Sequence, residues 1–334
     1  MKKTPIILLL TLITQTIAIA NIQLEQDIEL GNVHWLRDMN LAIEKSKAEK
    51  KPILILFQEV PGCSTCKNYG SDILSHPLIV EAIETYFIPL CIHNNKSGKD
   101  RLALEYFNEP SWNNPVIRVV NDNLKPITGR LNGNYSAYGL VEKIIATLIS
   151  LDIKIPEYLV LLEEQTKAEY FGIEEITLGM YCFWSGEKTY GKLKGVIATN
   201  AGYMNGSEVV QIQFNPNIIP LQELLHIGKI NKTADKLFSQ NKNDKQYDIP
   251  IYKPGIFKLD PETKYYLQQT PYKFIPMTPL QATRINSLLS EGKSCELYLS
   301  PRQRHRYAQI LKLNKTNLKN QIGKNISLAW YENK

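Results

Sequence analysis

Cysteine, histidine and long apolar runs are all scarce in this sequence, and each shortage excludes something. Five cysteines in 334 residues (Cys63, Cys66, Cys91, Cys182 and Cys295) are too few, and odd in number, to staple a coreless secreted fold. They suit thiol exchange better than bracing. Only one Cys-x-x-Cys occurs, and the five histidines (His34, His76, His93, His226 and His305) lack the spacing of metal ligands, so neither a metal nor another cofactor is expected. No internal repeat and no low-complexity segment is present. The apolar run from Pro5 to Ile19 is short for a membrane span and is interrupted by Thr11, Thr14, Gln15 and Thr16.

What remains is the composition of a soluble globular chain, 43% hydrophobic and 22% charged, long enough for two cores. Lys2 and Lys3 precede the apolar run, and Ala18-Ile19-Ala20 supplies a small-x-small cleavage signal. Residues 1–20 therefore read as a secretory signal peptide cleaved after Ala20, with an uncleaved anchor as the competing reading. Export, for instance to a periplasm, follows from the first. Loss of the two lysines takes the formal charge from +6 to 6 − 2 = +4. So small a surplus fits solubility or an anionic envelope surface, not nucleic acid.

The chain divides near Ile155-Pro156. Upstream, a helix over Asn40 to Lys50 precedes the apolar strand Ile53 to Phe57, whose unbroken hydrophobicity suits burial on both faces. Strands Phe87 to Ile92 and Val116 to Val120, a helix near Asp100 to Phe107 and a closing helix from Ser136 to Leu151 complete an α/β order, with turns at Asn121 to Asn123 and Gly129 to Asn134. Downstream come a connecting helix (Glu157 to Tyr170), a strand (Ile176 to Met180) and a helix starting at Cys182. Strands over Val196 to Tyr203 and Glu208 to Phe214 and a helix over Ile219 to Ile230 follow. The polar stretch Asn231 to Asp248 reads as a long loop. Pro279 to Leu289 and Pro301 to Leu313 read as helices opened by Thr-Pro and Ser-Pro. Residues 33–152 and 156–334 are the two expected domains, the second ending in a basic helical extension.

Cys63 and Cys66 directly follow a buried strand and open a helix. Unsatisfied backbone N–H groups there stabilise a thiolate on the first sulfur, and the second, one turn behind, can displace a mixed disulfide. Half of a zinc site and a static disulfide are the alternative readings of the bare motif. Lys51 to Lys67 resembles the thioredoxin superfamily, and Val60-Pro61-Gly62-Cys63 resembles its exported group marked by Val-Pro-Gly and then cysteine or selenocysteine. The resemblance implies a cis-proline facing the pair, at Pro115.

Gly179-Met-Tyr-Cys182-Phe183-Trp184, followed by Glu187, resembles the Gly-Cys-Phe-Trp signature of the A class of peptide methionine sulfoxide reductases. Later segments keep that family's order: Ala201-Gly202-Tyr203, Glu208-Val209-Val210, Phe214-Asn215-Pro216 and Gln246-Tyr247. An α+β domain of ferredoxin-like type is implied. So is a site in which Cys182 is the nucleophile, Glu208 the acid, and Tyr203 and Tyr247 hold the sulfoxide oxygen. Phe183 and Trp184 would wall the methyl group, and Asp244 would position substrate through water. Cys295 is a candidate resolving thiol. Tyr181 stands where the family has glycine, and the family's loop between Tyr203 and Glu208 is reduced to Met204-Asn205-Gly206-Ser207.

The expected activity is reduction of methionine-S-sulfoxide in oxidised proteins by a monomer recycled through Cys63 and Cys66 and an upstream thiol reductant. A periplasmic disulfide reductase or isomerase, and a module binding methionine-rich segments, are the alternatives.

Overall fold

A computed structural model describes residues 26–313 and 318–331. The expected signal peptide lies outside the described residues.

Asp38 caps α1 (Met39–Glu49), its carboxylate accepting the N–H groups of Asn40 and Leu41, and Lys50 ends the helix in a left-handed conformation. The apolar run becomes β1 (Ile53–Gln58), buried along its whole length. It pairs in parallel with β2 (Ile88–His93) and antiparallel with β3 (Val116–Val120), and β4 (Pro126–Asn132) closes the order β2-β1-β3-β4. Gly129, expected in a turn, lies inside β4. That strand sits at the sheet edge and is mostly exposed, so it needs no hydrophobic alternation to mark it. Helices α2 (Ser64–Asn68), α3 (Pro77–Tyr86), α4 (Lys99–Phe107) and α5 (Ala137–Ser150) cover the sheet. Successive β1 side chains feed opposite cores: Leu54 and Leu56 meet Leu140 and Ile144 of α5, while Ile53, Ile55 and Phe57 meet Leu104 and Phe107 of α4. This is the thioredoxin order.

Helix α6 (Glu157–Phe171) follows, and it has two buried sides. Tyr158, Leu159 and Leu162 belong to the core of α3 and α5, whereas Leu161 and Ala168 pack with Ile197 and Leu280 of the second half. The second half is built from β5 (Glu174–Gly179), α7 (Phe183–Gly191), β6 (Val196–Met204), β7 (Ser207–Phe214), α8 (Leu221–Ile230) and β8 (Lys236–Phe238). These six give an antiparallel β6-β7-β5-β8 sheet in βαββαβ order, the ferredoxin-like α+β arrangement. Short strands β9 (Ile251–Tyr252) and β10 (Lys258–Leu259) extend its two edges.

Strand β8 corrects the reading of Asn231 to Asp248 as a plain loop. Leu237 joins the core under α7 and α8, and Phe238 joins a smaller cluster with Met204 and Val209. Two alternating apolar residues suffice for a strand when the neighbour β5 is already in place.

Short helix α9 (Tyr265–Gln268) and then α10 (Pro279–Leu289) and α11 (Pro301–Ile310) lead to α12 (Ile326–Tyr331). Capping boxes open both α10, through Thr278 and Gln281, and α11, through Ser300 and Gln303. The C-terminal stretch was expected to extend the second half alone, but it returns to the first. Ile326 is buried in the core of α3 and α5, and the Arg302 N–H donates to Glu81 Oε1 on α3 at 2.7 Å.

Candidate active sites

The first site sits at the C-terminal end of β1. Cys63 is the N-cap of α2 and is exposed, while Cys66 is buried, with the two sulfurs 3.7 Å apart. The backbone N–H of Cys66 holds the Cys63 thiol below its ordinary pKa. Burial pushes Cys66 the other way, up to about 12, and its thiol donates to Asn114 Oδ1 at 2.8 Å. The peptide bond from Asn114 to Pro115 is cis, as the resemblance implied. The sulfur whose thiolate is favoured is thus offered to solvent while its partner is kept as a thiol behind it.

Two side chains outside the expected signals support this turn. The carboxylate of buried Glu29 accepts the Gly62 N–H at 2.8 Å, and buried Gln58 donates through Nε2 to the carbonyls of Glu29 and Cys66. Glu29 precedes the expected start of the domain at residue 33, and no periodic pattern marks it. Glu59, Cys63 and Cys66 form the one group of three metal-ligating side chains among the described residues, their ligand atoms within 4.8 Å of one another. Cys63 and Cys66, one helical turn apart, supply two of the three. Cys91 is buried in β2, where burial lifts its thiol to about 12, as suits a core residue.

The second site forms where β5 hands over to α7. Cys182 is the N-cap of α7 and is partly exposed. Gly186, one turn on, lets the helix lie close to the sheet, because a Cβ there would stand 2.1 Å from Met180 Sδ. Across the β6-β7 hairpin Tyr203 and Glu208 are direct partners. The Glu208 carbonyl accepts the Met180 N–H at 3.0 Å, and its carboxylate accepts the Phe183 N–H, also at 3.0 Å. That bond places a carboxylate beside the residue following Cys182.

Phe183 lies 5.3 Å from the ring of Tyr203 and 5.6 Å from that of Trp184. Tyr203 is 43% exposed, and partial desolvation together with the carboxylates of Asp260 and Glu208 raises its pKa, so the phenol stays a proton donor. Tyr247 packs against the core beneath α7.

Two predicted residues lie elsewhere. Asp244 is on a 3-10 turn and accepts from Ser239 Oγ. It lines a separate cleft of about 440 Å³ with Gln211, Leu237 and Phe238, whose lining includes neither Cys182 nor Glu208. Cys295 is buried among Leu267, Tyr272 and Ile285, a different core from the one behind Cys182, and burial raises its pKa. Conversely, Asp260, Tyr265 and Tyr266 reach this site although no sequence motif marks them. Trp184 Nε1 donates to Asp260 Oδ2 at 3.2 Å, its ring stacks on Tyr265 at 4.1 Å, and the Cys182 charge adds to the burial that raises Tyr266. The Asp-Pro and Tyr-Tyr pairs there were the available signal, but without periodicity.

Residues 34–121 match the thioredoxin-like family and residues 174–274 match the peptide methionine sulfoxide reductase family. The chain joins a thioredoxin-like domain to a peptide methionine sulfoxide reductase domain. Curated proteins similar to the chain include peptide methionine sulfoxide reductases. Peptide methionine sulfoxide reductase MsrA of Vibrio cholerae is 36% identical over 26% of this chain and 50% of its own length. Its namesake in Vibrio vulnificus is 35% identical over 16% of this chain and 34% of its own length. That of Methanococcus maripaludis is 37% identical over 16% of this chain and 45% of its own. The chain thus spans half or less of the length of these relatives.

Proposed function

We propose that the protein is an exported thiol oxidoreductase that reduces methionine-S-sulfoxide in oxidised proteins, acting as a monomer. The observation that carries this reading is the Glu208 carboxylate held against the Phe183 N–H, beside Cys182 at the start of α7.

A sulfoxide sulfur is electrophilic, but its oxygen leaves only when protonated. In the proposed reaction Cys182 attacks the sulfur of the substrate while Glu208 delivers a proton to the oxygen, which the hydroxyls of Tyr203 and Tyr247 hold. Phe183 and Trp184 form the apolar wall for the S-methyl group. Methionine leaves and Cys182 carries the oxygen as a sulfenic acid. The Cys63 thiolate then attacks that sulfur, releasing water and forming a mixed disulfide. Cys66 displaces Cys182 and leaves the Cys63–Cys66 disulfide, which an external dithiol reduces. With Cys295 buried, the thioredoxin-like pair is the proposed direct resolving partner. Tethering gives it a high effective concentration. Export rests on the signal-peptide pattern of residues 1–20.

The test is methionine formation from the S-epimer of a sulfoxide peptide with dithiothreitol. Cys182→Ser abolishes it and Glu208→Gln lowers kcat by about 10²–10⁴, as expected for loss of a general acid. Insulin disulfide reduction that persists in Cys182→Ser, with no sulfoxide turnover in the wild type, would replace this reading with a disulfide reductase.

A further inference from the structure

The family's loop between Tyr203 and Glu208 is missing here, yet the second site is not left open. The segment carrying β10 and α9 comes back to it from downstream. Lys258 and Leu259 pair antiparallel with Tyr203 and Gly202, and the Asp260 N–H donates to the Ala201 carbonyl at 2.9 Å. Gly202 makes this approach possible, since a Cβ there would lie 2.5 Å from the Lys258 carbonyl oxygen.

The far end of the segment is fixed to α7 itself. Glu187, fully buried one turn beyond Trp184, accepts from the backbone N–H and from Nζ of Lys264, each at 2.8 Å, and from Thr263 Oγ1 at 3.3 Å. Between these two anchors the Asp260 carboxylate, 6% exposed, accepts the Trp184 indole N–H, and Tyr265 covers one indole face.

We propose that this downstream segment replaces the missing loop as a wall of the sulfoxide site, and that Asp260 is the positioning residue that sets the Trp184 indole and so the affinity for the substrate's methyl sulfoxide end. This rests on the proposed sulfoxide reading. The indole turns about only two side-chain bonds, so one hydrogen bond at its edge and one stacked ring on its face define where the apolar wall stands. Asp260 also faces the Tyr203 phenol from the side opposite the hairpin partner Glu208, and its charge helps to keep that hydroxyl protonated.

The full-length protein, with Asp260→Asn and Asp260→Ala, tests this. Binding of N-acetylmethionine-S-sulfoxide amide is read by tryptophan fluorescence, and turnover by its reduction with dithiothreitol. Asp260→Ala raises KM and the dissociation constant about tenfold, the loss expected of one hydrogen bond, with a smaller change in kcat. Asp260→Asn keeps an acceptor for the indole and restores KM close to wild type. Removal of the charge shifts the alkaline limb of its pH profile downward. Unchanged KM, affinity and pH profile in both variants would overturn the role of Asp260 while sulfoxide turnover stands. Loss of kcat alone, without the KM rise or the Asn rescue, would overturn it too. A wild type that binds the amide in an Asp260-dependent way without reducing it would remove the catalytic reading and keep the wall. A wild type that neither binds nor reduces it would end both.

Discussion

At the scale of single residues, the protein separates a thiol whose thiolate is favoured from thiols kept protonated by how each meets water and backbone. Cys63 sits over free N–H groups, and the lowered pKa means that its thiolate fraction rises at lower pH than that of an ordinary cysteine. Cys66 and Cys91, each at about 12, stay protonated throughout the neutral range. Iodoacetamide at neutral pH therefore labels reduced Cys63 well before Cys66, with a rate that climbs through the lowered pKa. Peptide mass spectrometry across a pH series reads this, and prior labelling of Cys66 would contradict it. The spacing of Cys63 and Cys66 was enough to anticipate their geometry, because one helical turn after a strand leaves little freedom. Glu29 and Asp260 were beyond the sequence: each reaches its site through a fold-back, and a lone carboxylate carries no record of which turn it will cap.

Among the elements, those with strong local chemistry were legible. The apolar run of β1 and the capping boxes of α10 and α11 each satisfy their own requirements within a few residues. Strands β8 and β10, of three and two residues, exist only because a neighbouring strand offers unpaired backbone groups, so no local pattern announces them. The segment bearing β10 depends instead on the buried ion pair of Lys264 and Glu187, with side chains 6% and 0% exposed. Lys264→Met strips the carboxylate of its cation and leaves it sealed from water. The expected loss is about 3–5 kcal/mol, measured by urea unfolding. An unchanged midpoint would show that Glu187 is satisfied by Thr263 and the backbone alone.

For the molecule as a whole, the division near Ile155-Pro156 was legible as a change of pattern, but the traffic across it was not. Helix α6 lends one side to each half, and α12 packs against α3, at the other end of the sequence. Ile326→Ala, a cavity made in the C-terminal helix, is expected to cost about 2–5 kcal/mol. It should also speed amide exchange in α3 of the thioredoxin-like domain. Exchange that quickens only in α10 and α11 would refute that coupling.

The return of α12 carries a further consequence for biosynthesis. A nascent chain emerges from its N-terminus, so the sheet bearing Cys63 and Cys66 is complete long before Ile326 has been translated. Until Ile326 has been made, the early-made half waits with part of its apolar floor uncovered, and a helix translated after the whole second sheet is the one that seals it.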